Sequence, residues 1–395
     1  MGIMNIGSLL AMTPPENPGI VAQFIEVLFG WIGNYGWTVV VFTLILKLVL
    51  SPLDFWQKHV MHKNMRAMEK MKPQIEKLQK QYAGNKQRFQ QEQMKLYKKE
   101  GYSMLGSCLP MLITIVVFFF VFSQFNGMAT YMVKSDVYDM YHVYDTAYDD
   151  VYDDVYADVY ADYIVSSEYE VYYNEKYASL IGGGISIEEA EEQARAYANK
   201  IAEGVAHVAA HEPAVPAGQD AVVKWYEEEG KDSFLWIKNV FVADNWSSAI
   251  PSYDELISSG LGGLRIDKNY VSDDIYTTMT AKLRQLPQNQ GWNGYLIFPV
   301  LTIAISFLAQ LVQKQQMPAS APGGDDQAVK KSQGIVMKVM MPVMMGFFAL
   351  FYSSAFTIYM FVSQLFSFLF QAGYNFIVGR KDKKEDEFKL KHTYK

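Results

Sequence analysis

The chain has 395 residues, is 50% hydrophobic and carries a net charge of -7 with a mean hydropathy of -0.03, averages that suit a large soluble protein. The averages conceal a division: residues 126–291 hold 29 of the 42 acidic but only 11 of the 35 basic residues, while the rest is net +11 and contains several long apolar runs. A single cysteine, Cys108, excludes an intrachain disulfide and a cysteine-built zinc site, and no histidine pattern or cofactor motif calls for a bound group.

Residues 1–31 form an extracytoplasmic amino-terminal segment that lacks the basic region of a secretory signal and the Arg/Ser-rich character of a transit peptide. Within it Ile20, Phe24, Val27 and Leu28 recur at helical spacing, predicting a short helix lying in the membrane interface. The first transmembrane segment is 32–52, ending at Ser51-Pro52 and containing one charge, Lys47. Residues 55–102 carry twelve Lys/Arg and four acidic residues, with Met61, Met65, Met68, Ile75, Leu78 and Tyr82 as a narrow apolar stripe. Gly84-Asn85 interrupts the stripe and Phe89, Gln93, Leu96 and Tyr97 resume it, which predicts a helical hairpin with a bend at Pro73.

The second transmembrane segment is 107–125 and the third 292–312. A linker over 313–335, a fourth segment over 336–352, a fifth over 355–378 and a basic tail over 379–395 complete the chain. Each apolar run approaches or exceeds the ~17–25 residues that a bilayer requires. The hairpin is net +8 and the tail net +3, whereas the first 46 residues contain no Lys or Arg. Lysine and arginine excess marks the cytoplasmic side, so five spans place the amino terminus outside and the carboxyl terminus inside, and a prokaryotic plasma membrane is the simplest location.

Between spans two and three, residues 126–291 form a large acidic insertion. Tyr144, Tyr148, Tyr152, Tyr156 and Tyr160 recur every four residues, reading either as a stripe on an Asp-rich helix or as a low-complexity acidic tract. A second helix is expected from Ser186 to about His211. His207 and His211, four apart, can hold a metal pair but lack an obvious third ligand, and no calcium-loop spacing accompanies the carboxylates. From PAVPAG onward the insertion reads as mixed and irregular, and the exterior domain as a whole is expected to be of low to moderate order, packed onto the outer rim of the spans.

Lys47 is the polar group that matters most. A charge within a span costs a few kcal/mol unless it meets water, a partner or headgroups. Two readings stand: snorkelling to the cytoplasmic headgroups, or a basic group in a water-filled cavity. Thr43, Ser123, Gln124, Gln310, Ser363 and Gln364 can line the same cavity, although each taken singly is more simply a helix–helix hydrogen bond. No carboxylate in the other spans can neutralise Lys47. A transporter with an ion site at Lys47 would show paired repeats, and the five segments show no clear one.

The segments TLILKLVLSPL (43–53), MRAMEKMKPQIEKLQKQYAGNKQRFQQEQMKLYKKEGYSMLGSCLP (65–110), FLWI (234–237) and MPVMM (341–345) resemble the YidC/Oxa/Alb family of membrane-protein insertases. The resemblance implies an all-α integral membrane protein, with five transmembrane helices around a hydrophilic groove, and no enzymatic chemistry. Lys47 would occupy the family's intramembrane basic position, usually arginine, and draw the acidic outer segment of a nascent membrane protein into the groove. Met360 stands where the family often has tryptophan, and Gln364 where it has asparagine. The hairpin, with Met65, Met68, Pro73, Tyr82 and Phe89 on its stripe and bend, would receive substrates. The basic tail would favour the ribosome, and the protein would insert and chaperone nascent membrane proteins into lipid alone or with the Sec translocon; DNA has no part. The insertion after span two departs from the family pattern.

Overall fold

The computed structural model describes residues 12–15, 19–102, 104–229, 232–312, 339–340 and 342–393. The expected linker over 313–335 and the start of the fourth segment lie outside them. Among the described residues the chain is helical, with two isolated β-bridges and no strand. In chain order the helices are α1 (Ile20–Ile32), α2 (Tyr35–Gln81), α3 (Lys86–Lys99), α4 (Met104–Ile164), α5 (Ser167–Gly182), α6 (Ile187–Glu228), α7 (Tyr253–Ile257), α8 (Asp273–Gln285), α9 (Ile297–Val312), α10 (Pro342–Phe351) and α11 (Ser354–Thr393). Stretches of α2, α4 from Leu112, and α11 to Ile377 are long and apolar enough to cross a membrane, while α1, α9 and α10 are shorter apolar helices. This is the make-up of an α-helical membrane protein.

Local chemistry explains the first boundaries. Gly33 ends α1 in the left-handed conformation, φ 71°, which glycine adopts without strain. Asn34 then caps α2, its side chain accepting from the Trp37 amide. Contrary to the expected stop, α2 runs straight through Ser51-Pro52 into the basic segment. Pro52 cannot donate to the Leu48 carbonyl, but the Ser51 hydroxyl does so at 2.8 Å, leaving no orphan acceptor to break the helix there. Pro73 is likewise carried within α2. The second half of α2 packs on α3 around Met71, Leu96 and Tyr97, with Ala67, Met68, Ile75, Leu78 and Tyr102 at the edge.

The second apolar segment also has no end where the sequence suggested one. α4 continues for 61 residues, because between Phe125 and Ile164 no proline intervenes. Its distal part, α5 and the returning α6 form an antiparallel arm. α6 is 42 residues long, about 63 Å at helical rise. Ala190, Ala194, Ala198, Ala202, Ala206, Ala210, Ala214 and Gly218 are all buried along one line of α6. The tyrosines of α4 stack opposite them, with ring centroids 5.6–6.0 Å apart from Tyr144 to Tyr160.

Large rings against methyl groups let two helices approach closely. A stripe with a period of four drifts by about 40° per step on a helix of 3.6 residues per turn. Both stripes share that period, so their drifts match. Tyr148 pairs with His211 Nδ1 at 2.8 Å, and Tyr152 pairs with His207 Nδ1, so both histidines are rungs of the arm.

The PAVPAG stretch, expected to be irregular, lies inside α6. Pro213 and Pro216 sit on its exposed side, where water can serve the carbonyls they orphan. Ala214 and Gly218 keep the stripe facing α4, where a Cβ at Gly218 would come within 2.7 Å of the Tyr144 ring. Tertiary packing here overrides the local signal, and the irregular reading of PAVPAG is corrected.

Candidate functional site

Residues 232–251 tie together one end of the apolar helices and form a cap. Phe234 covers Gly36, where any Cβ would lie 2.1 Å from the ring, and meets Trp37 edge-on at 5.3 Å. Asn293 is a hub: its side chain donates to the carbonyls of Asn239, Val242 and Ala243 at 2.8, 3.2 and 3.1 Å, and accepts from the Asn239 amide at 2.8 Å. The first residues of α11 join the same strip, Ser354 N donating to Val242 O at 2.9 Å and Ala355 N to Val240 O at 2.7 Å. The Asp244 carboxylate accepts from Leu296 N and Phe298 N, both at 2.9 Å, and so caps α9. Burial raises the Asp244 carboxyl to about 6 despite those two amides. These polar groups are almost all buried and hydrogen-bonded to one another, which makes the cap a rigid element.

Beyond the cap a seam of polar side chains runs along α11. Gln364, Ser367, Gln371 and Asn375 follow at steps of three, four and four, which puts them on one face. Each has a partner: Ser306 of α9 donates to Gln364, Lys47 of α2 donates to Ser367 Oγ at 3.2 Å, and Lys58 of α2 donates to Gln371. Gln371 in turn donates to Asn375 Oδ1 at 2.7 Å. Thr302, one turn before Ser306, is buried and its hydroxyl has no partner among the described residues. The carboxylate whose charge acts on Lys47 and Lys58 comes from their own helix: Asp54, seven residues after Lys47.

The residues singled out from sequence divide accordingly. Lys47 and Gln364 are in the seam, and Ser363 is bonded to Tyr359 beside it. Gln310 follows Ser306 by one turn of α9, half-buried. Thr43 is fully buried and gives its hydroxyl to Val39 O at 2.6 Å, within its own helix. Ser123 is exposed, Gln124 points at Gly19 near the start of α1, and Met360 is buried in the apolar core. Of the hairpin residues, Met68 edges the small hairpin core, Tyr82 caps the end of α2, Phe89 is half-buried on α3 and Pro73 is exposed. Met65 lies on α2, its side chain outside the described residues.

Sequence reasoning missed Lys58, Asp54, Ser306, Ser367 and Gln371. The signal was available in the helical spacing: Asp54 and Lys58 follow Lys47 by seven and eleven residues, close to two and three whole turns.

Comparison with known proteins bears on this arrangement. The chain is 37% identical over 105 residues to the membrane protein insertase YidC of Helicobacter pylori (strain ATCC 700392 / 26695), covering 26% of this chain and 18% of that protein. It is 37% identical over 94 residues to that of Ectopseudomonas mendocina (24% and 16%) and 33% identical over 115 residues to that of Leptospira interrogans serovar Lai (29% and 18%). The aligned stretches thus span under a fifth of the length of these curated relatives. The 60Kd inner membrane protein family matches residues 27–158 and 221–381, leaving out 1–26, 159–220 and 382–395. Because that match covers most of the chain and takes in the cap, the hairpin and the polar seam together, the chain belongs to the 60Kd inner membrane protein family.

Proposed function

We propose that this protein inserts nascent membrane proteins into the lipid bilayer, acting as insertase and folding chaperone rather than as an enzyme. The observation that carries the reading is the polar seam with Lys47 at its centre, in a chain whose family includes proteins named for that activity. In this reading α2, α4, α9, α10 and α11 supply five spans, and the seam is the wall of a hydrophilic groove capped on the outside by residues 232–251. The acidic leading segment of a substrate is attracted to Lys47, while its apolar span slides into lipid. Hydrophobic partitioning supplies the drive, and the groove lowers the cost of carrying polar groups across. The basic hairpin receives substrates on the cytoplasmic side, the basic tail attracts the ribosome electrostatically, and the protein works alone or with the Sec translocon.

Purified protein in liposomes should insert a single-span substrate without ATP, read by protease protection. Lys47→Arg should retain insertion, since both side chains keep the charge. Lys47→Ala should lose most for substrates with acidic leading segments and least for strongly apolar ones. Equal insertion by the alanine and lysine forms across such a series would return Lys47 to headgroup snorkelling. Orientation has its own test: cysteines at Asp150 and Glu228 should react with an impermeant maleimide on intact cells, and one at Gln81 only after lysis. Outside labelling at Gln81 would sink the groove reading altogether.

A further inference from the structure

Lys47 and Lys58 are eleven residues apart on α2, three turns to within about 20° at 100° per residue, so both leave the same face. That face meets α11. Lys47 Nζ donates to Ser367 Oγ at 3.2 Å, and Lys58 Nζ donates to Gln371 Oε1 while lying 5.4 Å from the centre of the Phe370 ring. These contacts direct Lys58 toward α11. Asp54, on the same face between them, is the carboxylate that acts on both, and the two ammonium groups act on each other. One carboxylate against two lysines leaves the seam with surplus positive charge. The neutral oxygens of Ser367 and Gln371 hold an ammonium in place but do not cancel its charge, so each lysine keeps capacity for a further acidic partner.

Lys58 lies six residues beyond the apolar 32–52 segment, on the side of the positively charged hairpin. We propose that Lys58 is a second docking cation, the first to take an acidic side chain of the substrate's leading segment before Lys47 receives it, with Asp54 as the resident competitor that lets the substrate go. The proposal rests on the insertase reading and deepens it. It assigns the preference for acidic leading segments to a pair of lysines and one carboxylate rather than to a single charge.

The test uses the full chain in liposomes of uncharged phosphatidylcholine. The single-span substrates are identical except for zero, one or two aspartates in the leading segment. Lys58→Gln should lower the ratio of two-aspartate to zero-aspartate insertion about fivefold, the factor of an ion pair worth roughly 1 kcal/mol, and Lys58→Arg should restore it. Asp54→Asn should lengthen the time for which the two-aspartate substrate crosslinks to a photoreactive residue placed at Phe370. In the wild type that crosslink should precede one from Leu46, beside Lys47.

A ratio unchanged by Lys58→Gln but lowered by Lys47→Ala would overturn the proposal and leave the groove reading standing. Ratios unchanged by both would overturn the proposal and also return Lys47 to headgroup snorkelling. An equal loss for all substrates, not rescued by arginine, would make Lys58 a structural residue and also overturn the proposal. Should Lys58→Gln fail to fold, as judged by thermal unfolding, the order of the two crosslinks decides: Leu46 before Phe370 refutes the proposed sequence.

Discussion

Asn293 and Asp244 concentrate the polar stabilisation of the cap. Asn293→Ala would leave several buried carbonyls without their donor, and should destabilise the protein by about 3 kcal/mol, enough to be read in a melting curve. Asp244→Ala should cost about 2 kcal/mol through the lost cap of α9. Asp232 gives the cap a pH dependence. Its carboxyl, close to Asp136, is pushed up by burial to about 7. With a folded value above the unfolded one near 3.9, its contribution is full below about pH 4 and is lost as the pH rises through about 7. Buried Asp136 and Asp244 are raised by burial with the same sign, so the cap should melt at lower temperature at pH 8 than at pH 5, and Asp232→Asn should reduce that difference while stabilising the protein at pH 8. Tryptophan fluorescence melts in nanodiscs measure this; a slope of the opposite sign would mean that a cation holds Asp232 ionised.

At this scale the sequence was legible wherever a residue was conspicuous on its own. Lys47 stood out because it is the one charge in an apolar run. Asp54 and Lys58 did not, because they follow Pro52 in a polar stretch that looks like ordinary surface. Their place on the Lys47 face depends on α2 continuing through the proline, where the Ser51 hydroxyl bonds the Leu48 carbonyl.

Among the elements, the arm shows how packing can overrule punctuation. The tyrosine period was visible in the sequence, which left it open between a helical stripe and a low-complexity tract; it lies on α4. The alanine period in α6 extends past two prolines, and only the pairing of the two stripes makes PAVPAG helical. Placing leucine at Ala206, which is fully buried, should overpack the arm by about 1–3 kcal/mol. Circular dichroism should then show loss of helix, and limited proteolysis should cut within 150–215 first. Undiminished protection there would mean that the arm's helices are held by something other than the alanine line. Asp145, Asp149 and Asp153, and likewise Asp150, Asp154, Asp158 and Asp162, stand four apart on α4, where like charges repel by about 0.2–0.5 kcal/mol per pair. The ring-to-methyl packing must offset that repulsion, so moderate salt should stabilise the arm more than the rest of the protein.

Over the whole molecule, charge is segregated more sharply than the sequence blocks suggested. Residues 126–229 hold 22 acidic and five basic side chains, whereas 230–291, which include the cap, hold seven and six. The arm is the acidic body and the cap is close to neutral. The antiparallel register sets Tyr152 against His207, so chain ends cut at those positions are neighbours. Replacing 153–206 with a short turn should leave the cap, hairpin and seam folded and insertion in liposomes intact. Loss of insertion with unchanged melting would give the distal arm a direct part in handling substrates.

The unbroken course of α4 has a mechanical consequence. The apolar part of this helix and its acidic distal part are one rod, with no hinge at Phe125 where the apolar segment ends. The 39 residues from Asn126 to Ile164 make a lever of about 58 Å, so a tilt of about 5° at the base sweeps the tip through about 5 Å. Conversely, a modest lateral load at the tip is delivered as torque to the helix that packs against α1, α2 and α11. The arm is thus geared to the apolar helices, and a load on its tip would be felt at the contacts of α4 with α1, α2 and α11.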